Sequence, residues 1–208
     1  MEERIIKIIL IGESGVGKTN LINVLFGKEF NPNTSTTYNS YFFEGIYKDT
    51  NNNEYNYTIW DTAGQEQYRS LNKIFIKDAK IIICVYAINN KDTYNEIEFW
   101  INYVKEILGE DQYILALCAN KSDLYEKQEV PDEDGQELAN KYYIKFNITS
   151  ALTNINGFRA FLYELINDYI QLDKTKKNNI KNFQNNNSFK INSKPIKKSK
   201  KGKCCSFK

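Results

Sequence analysis

The chain has 208 residues, 41% of them hydrophobic, which is enough for one ordinary core and, by length, for one folded domain. Its 28 Lys and Arg against 26 Asp and Glu give a net charge of +2. Residues 173–208 hold 12 Lys and one Asp, a balance of +11, which leaves −9 for residues 1–172. Only the tail is therefore predicted to meet an anionic surface, and we expect no nucleic-acid partner.

The sequence also argues against several other classes of protein. No apolar stretch approaches the roughly 20 residues of a membrane span. The opening MEERIIKIIL has two acids where an export signal would be basic, and Lys7 interrupts its short apolar run, so no export signal is predicted. Histidine is absent, which removes the usual imidazole base and the commonest metal ligand. Cys84 and Cys118 lie within apolar runs and are predicted to be buried core thiols, not a disulfide framework.

Five apolar runs predict strands, and helical patterns separate several of them. The runs cover residues 5–11, 57–60, 81–88, 113–120 and 143–148. Near-continuous apolar runs are typical of parallel strands that are covered on both faces. Strands that alternate with helices predict an α/β, doubly wound domain.

Two helical patterns are clear, and a polar tail follows the second. Residues 93–108 keep one apolar face through Ile97, Ile101, Val104 and Leu108. Residues 155–172 do so through Phe158, Phe161, Leu162, Leu165, Ile166 and Tyr169. The segment 173–208 is rich in Asn and Lys and has few large apolar residues, so we predict a disordered tether there.

The segment GESGVGKT follows the first predicted strand and precedes the helical pattern NLINVLF. It matches G-x-x-x-x-G-K-[ST], in which glycines let backbone N–H groups converge on phosphate at the positive end of a helix. The lysine neutralises terminal phosphates, and the threonine hydroxyl binds Mg²⁺. A chance glycine turn is the alternative, and the position between strand and helix argues against it. The predicted phosphate-binding residues are Gly12, Glu13, Ser14, Gly15, Val16, Gly17, Lys18 and Thr19.

The segment DTAGQ, residues 61–65, follows the strand predicted at 57–60. Asp61, at the carboxyl end of that strand, is predicted to hold the metal ion through water. Gly64 is predicted to give a backbone N–H to a γ-phosphate, and Gln65 to orient the attacking water. Alone, the segment would also be compatible with an ordinary polar turn.

The segment NKSD, residues 120–123, ends the strand predicted at 113–120 and selects the base. Guanine presents two adjacent N–H donors that the Asp123 carboxylate accepts side by side. Adenine presents an acceptor at the corresponding ring position, so the Asp123 carboxylate would face a lone pair at a cost of about 1–3 kcal/mol or more. The site should therefore reject ATP. The segment TSA, residues 149–151, would add a backbone N–H to the guanine oxygen and is a weak signal by itself.

Together, these motifs resemble those of the small Ras-like GTPases over about residues 4–172. The resemblance implies a six-stranded, mostly parallel sheet with helices on both faces, and GTP or GDP bound with Mg²⁺. It places Thr37 on Mg²⁺ and the γ-phosphate, although Thr36 competes for that role. The implied guanine-binding residues are Phe30 and the stem of Lys121 on the two faces of the base, with Asn120, Asp123, Ser150 and Ala151.

Within that superfamily, the segment IWDTAGQE and the ending CCxxx look most like the Rab branch. Phe42, Trp60 and Phe75 match the aromatic trio that Rab proteins display to effectors; without the resemblance they would be ordinary core residues. The sequence departs from the Rab pattern at Asn39, Gln67 and Leu152 and within FIKDA, residues 75–79. These departures concern partner identity and leave the phosphate and base motifs whole.

Cys204 and Cys205 follow a run of lysines and resemble a double prenylation site. One lipid chain binds a bilayer weakly, whereas two anchor a protein, and nearby lysines add attraction to an anionic leaflet. Two unmodified thiols, or a C-a-a-X site read from CSFK, are the alternatives, and a terminal lysine fits the latter badly.

The resemblance implies a monomeric, membrane-tethered GTPase switch that regulates vesicle trafficking by recruiting effectors when GTP is bound. An exchange factor, a GTPase-activating protein and a prenyl-binding chaperone are the further implied partners. The implied location is the cytoplasmic face of intracellular membranes, with cycling through the cytosol. The alternatives are a Ras- or Rho-type signalling GTPase, a binding scaffold without turnover, and a nucleoside kinase or ATPase.

Overall fold

The computed structural model describes residues 5–34, 41–62 and 69–186. Six strands form one sheet, with order β2-β3-β1-β4-β5-β6. They are β1 (Ile6–Ile11), β2 (Tyr41–Lys48), β3 (Glu54–Asp61), β4 (Ile81–Ala87), β5 (Ile114–Asn120) and β6 (Lys145–Ile148). Strand β2 pairs antiparallel with β3, and every other pairing is parallel. The predicted α/β fold with a mostly parallel sheet is confirmed.

The five apolar runs correspond to β1 and β3–β6, but they omit β2. Every residue of β4 is buried, as expected for a central strand covered on both faces. Strand β2 lies at the sheet edge, where exposed Phe42 and Ile46 alternate with Phe43 and Tyr47, which pack on the core. Because only one of its faces is covered, this strand has no continuous apolar run of the kind that marks the others.

Helices cover both faces of the sheet. They are α1 (Lys18–Leu25), α2 (Arg69–Ile76), α3 (Lys91–Asn95), α4 (Ile97–Leu108), α5 (Asp132–Tyr142) and α6 (Ile155–Asn186), with a 3₁₀ segment at Ser122–Lys127. Ile8 and Leu10 of β1 belong to a core shared with α1 and α6. Ile9 and Ile11 belong to a second core shared with α2, α4 and α5. Successive strand residues therefore face opposite helical layers.

The predicted apolar helix faces are buried, with one difference in helix boundaries. The pattern over 93–108 spans two helices, because the first ends at Asn95 and the second begins at Ile97. The apolar residues of α6 from Phe158 to Ile166 are buried, and Tyr169 is partly buried. Cys84 and Cys118 are buried free thiols, as predicted.

Helix α6 continues beyond the apolar pattern that predicts it. The structure divides into a unit of residues 1–173 and a second of residues 174–208. Helix α6 extends past Leu172 to Asn186. Residues 158–186 contain no Gly or Pro, so local hydrogen bonds continue the helix after its apolar face ends. Among the helices of the described residues, none carries an apolar stretch that could span a bilayer.

Candidate functional site

A cavity of about 510 Å³ opens where the loops that follow β1, β5 and β6 meet. Because these strands are parallel, their carboxyl ends lie at one edge of the sheet, where α/β proteins bind ligands. The cavity is lined by Ser14, Gly15, Gly17, Lys18, Thr19, Asn20, Phe30, Pro32, Thr34, Thr62, Asn120, Lys121, Asp123, Leu124, Ala151 and Leu152. The tertiary structure thus brings the predicted phosphate and base motifs to one site.

Two glycines of the loop between β1 and α1 are required by close approaches of the chain. Gly12 has φ 142°, and a Cβ there would lie 2.1 Å from the Val85 carbonyl oxygen. Gly17, which precedes α1, has φ 98°, and a Cβ there would lie 2.4 Å from Asn120 Nδ2. Any side chain at either position would push the loop away from its neighbour. The glycines of the motif therefore determine how the loop sits against β4 and the NKSD segment.

The Lys18 ammonium is buried inside this loop. Its Nζ donates to the carbonyl oxygens of Gly12 at 2.7 Å and Glu13 at 2.9 Å. Burial lowers the pKa of Lys18 from 10.5 to about 8, while the carboxylates of Asp61 and Glu13 oppose that shift. A partly desolvated cation held by backbone oxygens is well placed to gain from an anionic phosphate.

Thr19 and Asp61 bring two hard oxygen groups together beside Lys18. The Thr19 hydroxyl donates to Asp61 Oδ2 at 2.8 Å, and Asp61 is 2% exposed. Thr62 Oγ1 donates to the Leu10 carbonyl oxygen at 2.7 Å, which ties the segment after β3 to β1. Hydroxyl and carboxylate oxygens are the donors that Mg²⁺ prefers, so the two side chains fit the predicted metal.

A hydrogen bond from α4 to the phosphate loop was not predicted from the sequence. Trp100 Nε1 donates to Glu13 Oε1 at 3.0 Å, and both side chains are buried. The Glu13 carboxylate is therefore directed into the protein and contacts helix α4. No local pattern indicates this pair, because Trp100 lies on the apolar face of α4 and looks like an ordinary core residue.

The segment after β5 contacts the phosphate loop directly. Asn120 is 1% exposed, and its Nδ2 donates to the Val16 carbonyl oxygen at 2.8 Å. Lys121 has a left-handed backbone with φ 66°, a conformation that non-glycine residues adopt mainly where surrounding structure imposes it. Burial lowers the pKa of Lys121, opposed by the charge of Asp123. The phosphate and base motifs are thus one hydrogen-bonded assembly.

The loop after β6 holds the Asp123 carboxylate. The backbone N–H groups of Leu152 and Thr153 donate to Ser150 Oγ at 3.0 and 3.1 Å. With its oxygen occupied by two donors, the Ser150 hydroxyl donates its proton to Asp123 Oδ1. Asp123 is therefore oriented by Ser150 and lines the cavity together with Ala151.

Phe42, Trp60 and Phe75 form a continuous row of rings on β2, β3 and α2. The Phe42 and Trp60 ring centroids are 5.0 Å apart, and those of Trp60 and Phe75 are 5.6 Å apart. Phe42 is 52% exposed, whereas Trp60 and Phe75 are partly buried. This row is a surface feature rather than a fully buried core, and its contact with effectors stays a prediction.

Five predicted residues lie outside the described part of the chain: Thr37, Gly64, Gln65, Cys204 and Cys205. The structure also adds cavity residues that were not predicted, namely Asn20, Pro32, Thr34, Thr62, Leu124 and Leu152. Asn20 directly follows the phosphate motif, and this adjacency was the available signal. Pro32 and Thr34 belong to a polar segment without a motif of its own.

One cavity is lined by the glycine loop between β1 and α1, by the buried Lys18 and by the Asp123 carboxylate. This combination defines a nucleotide-binding α/β protein of the phosphate-loop class. A family model described as Ras family matches residues 7–171. The chain therefore belongs to the Ras family of small GTPases.

Its curated relatives specify the branch. The chain is 37% identical to Ras-related protein Rab-11B of Dictyostelium discoideum over 184 residues. This match covers 88% of the present chain and 83% of the Dictyostelium protein. It is 32% identical over 212 residues to Ras-related protein RABA5a of Arabidopsis thaliana, covering 99% and 95%. Identity to Ras-related protein Rab-26 of Mus musculus is 36% over 155 residues, covering 74% and 59%. The predicted Rab-type GTPase is confirmed.

Proposed function

We propose that this chain is a membrane-tethered guanine-nucleotide switch of vesicle trafficking, in which the described cavity binds GDP or GTP with Mg²⁺. The observation that carries the proposal is the Asp123 carboxylate, oriented by Ser150 and facing the cavity that the phosphate loop also lines. Guanine presents two adjacent N–H donors to such a carboxylate, and adenine does not. The site should therefore select guanine nucleotides over ATP.

Stacking and hydrogen bonding around the carboxylate complete the proposed base site. Phe30 and the stem of Lys121, which both line the cavity, cover the two faces of the base. Ala151 contributes a backbone N–H to the guanine oxygen. Asn120 fixes the position of the base segment relative to the phosphate loop through its hydrogen bond to the Val16 carbonyl oxygen.

At the phosphate end, residues 12–19 bind through backbone N–H groups and Lys18 supplies the positive charge. Thr19 and Asp61 would hold Mg²⁺, with Thr37 added when GTP is bound. The metal, when bound, would neutralise charge that develops on the phosphates. Gly64 would donate to the γ-phosphate, and Gln65 would orient the attacking water.

A guanine-specific site with Gln65 supports a switch that hydrolyses GTP slowly and depends on an activating protein. Effectors would recognise the Phe42, Trp60 and Phe75 row when GTP orders the neighbouring segments. An exchange factor would open the site, and a prenyl-binding chaperone would carry the protein through the cytosol. The protein would act as a monomer on the cytoplasmic face of intracellular membranes, attached through lipid at Cys204 and Cys205.

Single-turnover hydrolysis of bound GTP tests the enzymatic half of the proposal. Gln65→Leu should slow hydrolysis, both alone and with an activating protein, and should leave GDP and GTP affinity unchanged. Activating proteins accelerate a related GTPase by about 10⁵-fold, so the difference should be largest in their presence. Equal rates for the variant and the wild type would favour the binding scaffold over the switch.

A further inference from the structure

The side chain of Asn20 connects helix α1 to the loop formed by residues 31–34. Its Nδ2 donates to the Asn31 carbonyl oxygen at 2.9 Å. Its Oδ1 accepts from the Thr34 hydroxyl at 3.0 Å and from the Asn31 backbone N–H at 3.5 Å. One amide thus makes three hydrogen bonds to a loop that lies 11 to 14 residues further along the chain.

The loop is further ordered by its own polar groups. The Asn33 backbone N–H donates to Asn31 Oδ1 at 2.9 Å, and the Thr34 hydroxyl also approaches the Asn31 carbonyl oxygen at 2.7 Å. Residues 31–33 are exposed and Thr34 is partly buried. The loop therefore has little apolar packing to hold it, and polar contacts to α1 make a large contribution to its position.

This loop is also a wall of the nucleotide cavity. Phe30, Pro32 and Thr34 line the cavity, and Asn20 lines it from α1. We define residues 30–34 as the cavity wall. Phe30, at the start of the wall, packs against the core, whereas the rest of the wall is held over the cavity by the bonds of Asn20 to Asn31 and Thr34. If that part of the wall moves outward, the cavity opens beside Phe30. The position of the wall and the cover over a bound nucleotide are therefore coupled.

We propose that Asn20 is a positioning residue that holds the cavity wall closed and thereby sets the rate at which bound guanine nucleotide dissociates. This inference rests on the proposed function, since it takes the cavity to be the nucleotide site. Asn20 acts through the wall, with its amide bonded to Asn31 and Thr34. Loss of these bonds raises the population of the open wall and speeds dissociation in proportion.

The test measures dissociation of a fluorescent GDP analogue from the full chain after dilution into excess unlabelled GDP. Asn20→Ala should raise the dissociation rate about tenfold, the factor that corresponds to about 1.4 kcal/mol. Asn23→Ala is the matched control, because it makes the same substitution three residues further along α1. This variant keeps the side chain of Asn20 and therefore its bonds to the wall. The control should dissociate at the wild-type rate.

Two further variants separate loss of the wall contact from a general loss of structure. Thr34→Val removes the hydroxyl whose single proton is shared between Asn20 Oδ1 and the Asn31 carbonyl oxygen, and it should also speed dissociation. Since Asn20→Ala and Thr34→Val both remove the contact between these two side chains, their effects should not be independent. The double variant should release the GDP analogue more slowly than the product of the two single effects predicts.

Two results would overturn the inference: dissociation from Asn20→Ala at the wild-type rate, or effects of Asn20→Ala and Thr34→Val that multiply independently. Failure of the wild-type chain to bind the GDP analogue would instead overturn the proposed function itself. The two failures are thus distinguishable within one experiment.

Discussion

Trp100 Nε1 donates to Glu13 Oε1 at 3.0 Å, so a helix on one face of the sheet is hydrogen-bonded to the loop that leads into α1. Trp100 is fully buried in the core formed by α4 and the sheet, and Glu13 is 8% exposed. The same Glu13 residue accepts from Lys18 through its carbonyl oxygen at 2.9 Å. The packing of α4 is therefore linked to the position of the lysine that meets phosphate.

Trp100→Phe should lower the free energy of unfolding by at least about 1.5–3 kcal/mol, because it removes a hydrogen bond to a charged, buried acceptor. Urea unfolding at one fixed GDP concentration, followed by circular dichroism, measures the loss. Trp60→Phe is the matched control, since Trp60 is partly exposed and its Nε1 donates to the neutral Thr58 hydroxyl at 3.3 Å. Equal losses for the two variants would show that the bond to Glu13 contributes nothing beyond indole packing.

GDP affinity should depend on pH through Lys18, whose pKa burial lowers to about 8 in the nucleotide-free chain. Phosphate favours the protonated form, so the complex keeps the proton that the free protein loses as pH rises. Affinity should be nearly constant below about pH 7 and fall by up to tenfold per pH unit above about pH 8. Calorimetry in two buffers of different ionisation enthalpy should detect proton uptake on GDP binding that grows as the pH rises above about 8. Binding without proton uptake would show that Lys18 is already fully protonated in the free chain.

Asp123→Asn should shift base preference from guanine to xanthine nucleotides by at least about tenfold, because xanthine presents an acceptor that matches the new amide donor. The Ser150 hydroxyl should keep the amide oxygen at the Oδ1 position and direct the amino group toward the base. Competition against a labelled nucleotide measures the change.

Adding Ser150→Ala to the Asp123→Asn variant supplies the control. Without the Ser150 hydroxyl, the introduced amide at position 123 loses the donor that fixes its orientation, so the preference for xanthine should shrink. An unchanged preference in the double variant would show that Ser150 does not orient the side chain, and ATP that competes as well as GTP would refute the base site altogether.

Changing Cys204 and Cys205 together to Ser should release the protein from membranes and leave GTP binding unchanged. Residues 1–172 carry −9, which repels an anionic leaflet, and the lysines of residues 173–208 give only screened attraction. Each buried CH₂ of a lipid chain adds about 0.8 kcal/mol, so a single Cys→Ser change should leave weaker, salt-sensitive binding. Cell fractionation and intact mass spectrometry measure the outcome, and unmodified thiols or a membrane-bound double variant would contradict it.

Most of the sheet and the chemistry of the contiguous motifs could be predicted from the amino-acid sequence. Strands covered on both faces, such as β4, need unbroken apolar runs, and residues 12–19 wrap phosphate with their own backbone, so both are visible locally. Strand β2 was not predicted, because one of its faces meets solvent and its sequence has no continuous apolar run. The end of α6 at Asn186 was not predicted from the apolar pattern over residues 155–172. A helix without Gly or Pro can continue through local hydrogen bonds beyond its buried apolar face.

How the motifs are held depends on contacts that form only in the folded chain. Glu13 and Trp100 lie 87 residues apart, and Asp123 and Ser150 lie 27 apart, so no local pattern joins them. The same holds for Asn20 and the wall at Thr34, which meet only because the chain turns back after α1. A motif specifies which groups are present, whereas the direction of a buried carboxylate or amide depends on donors supplied by other elements. Burial makes an unpaired polar group costly, so the folded chain selects these long-range partners and, with them, the geometry of the site.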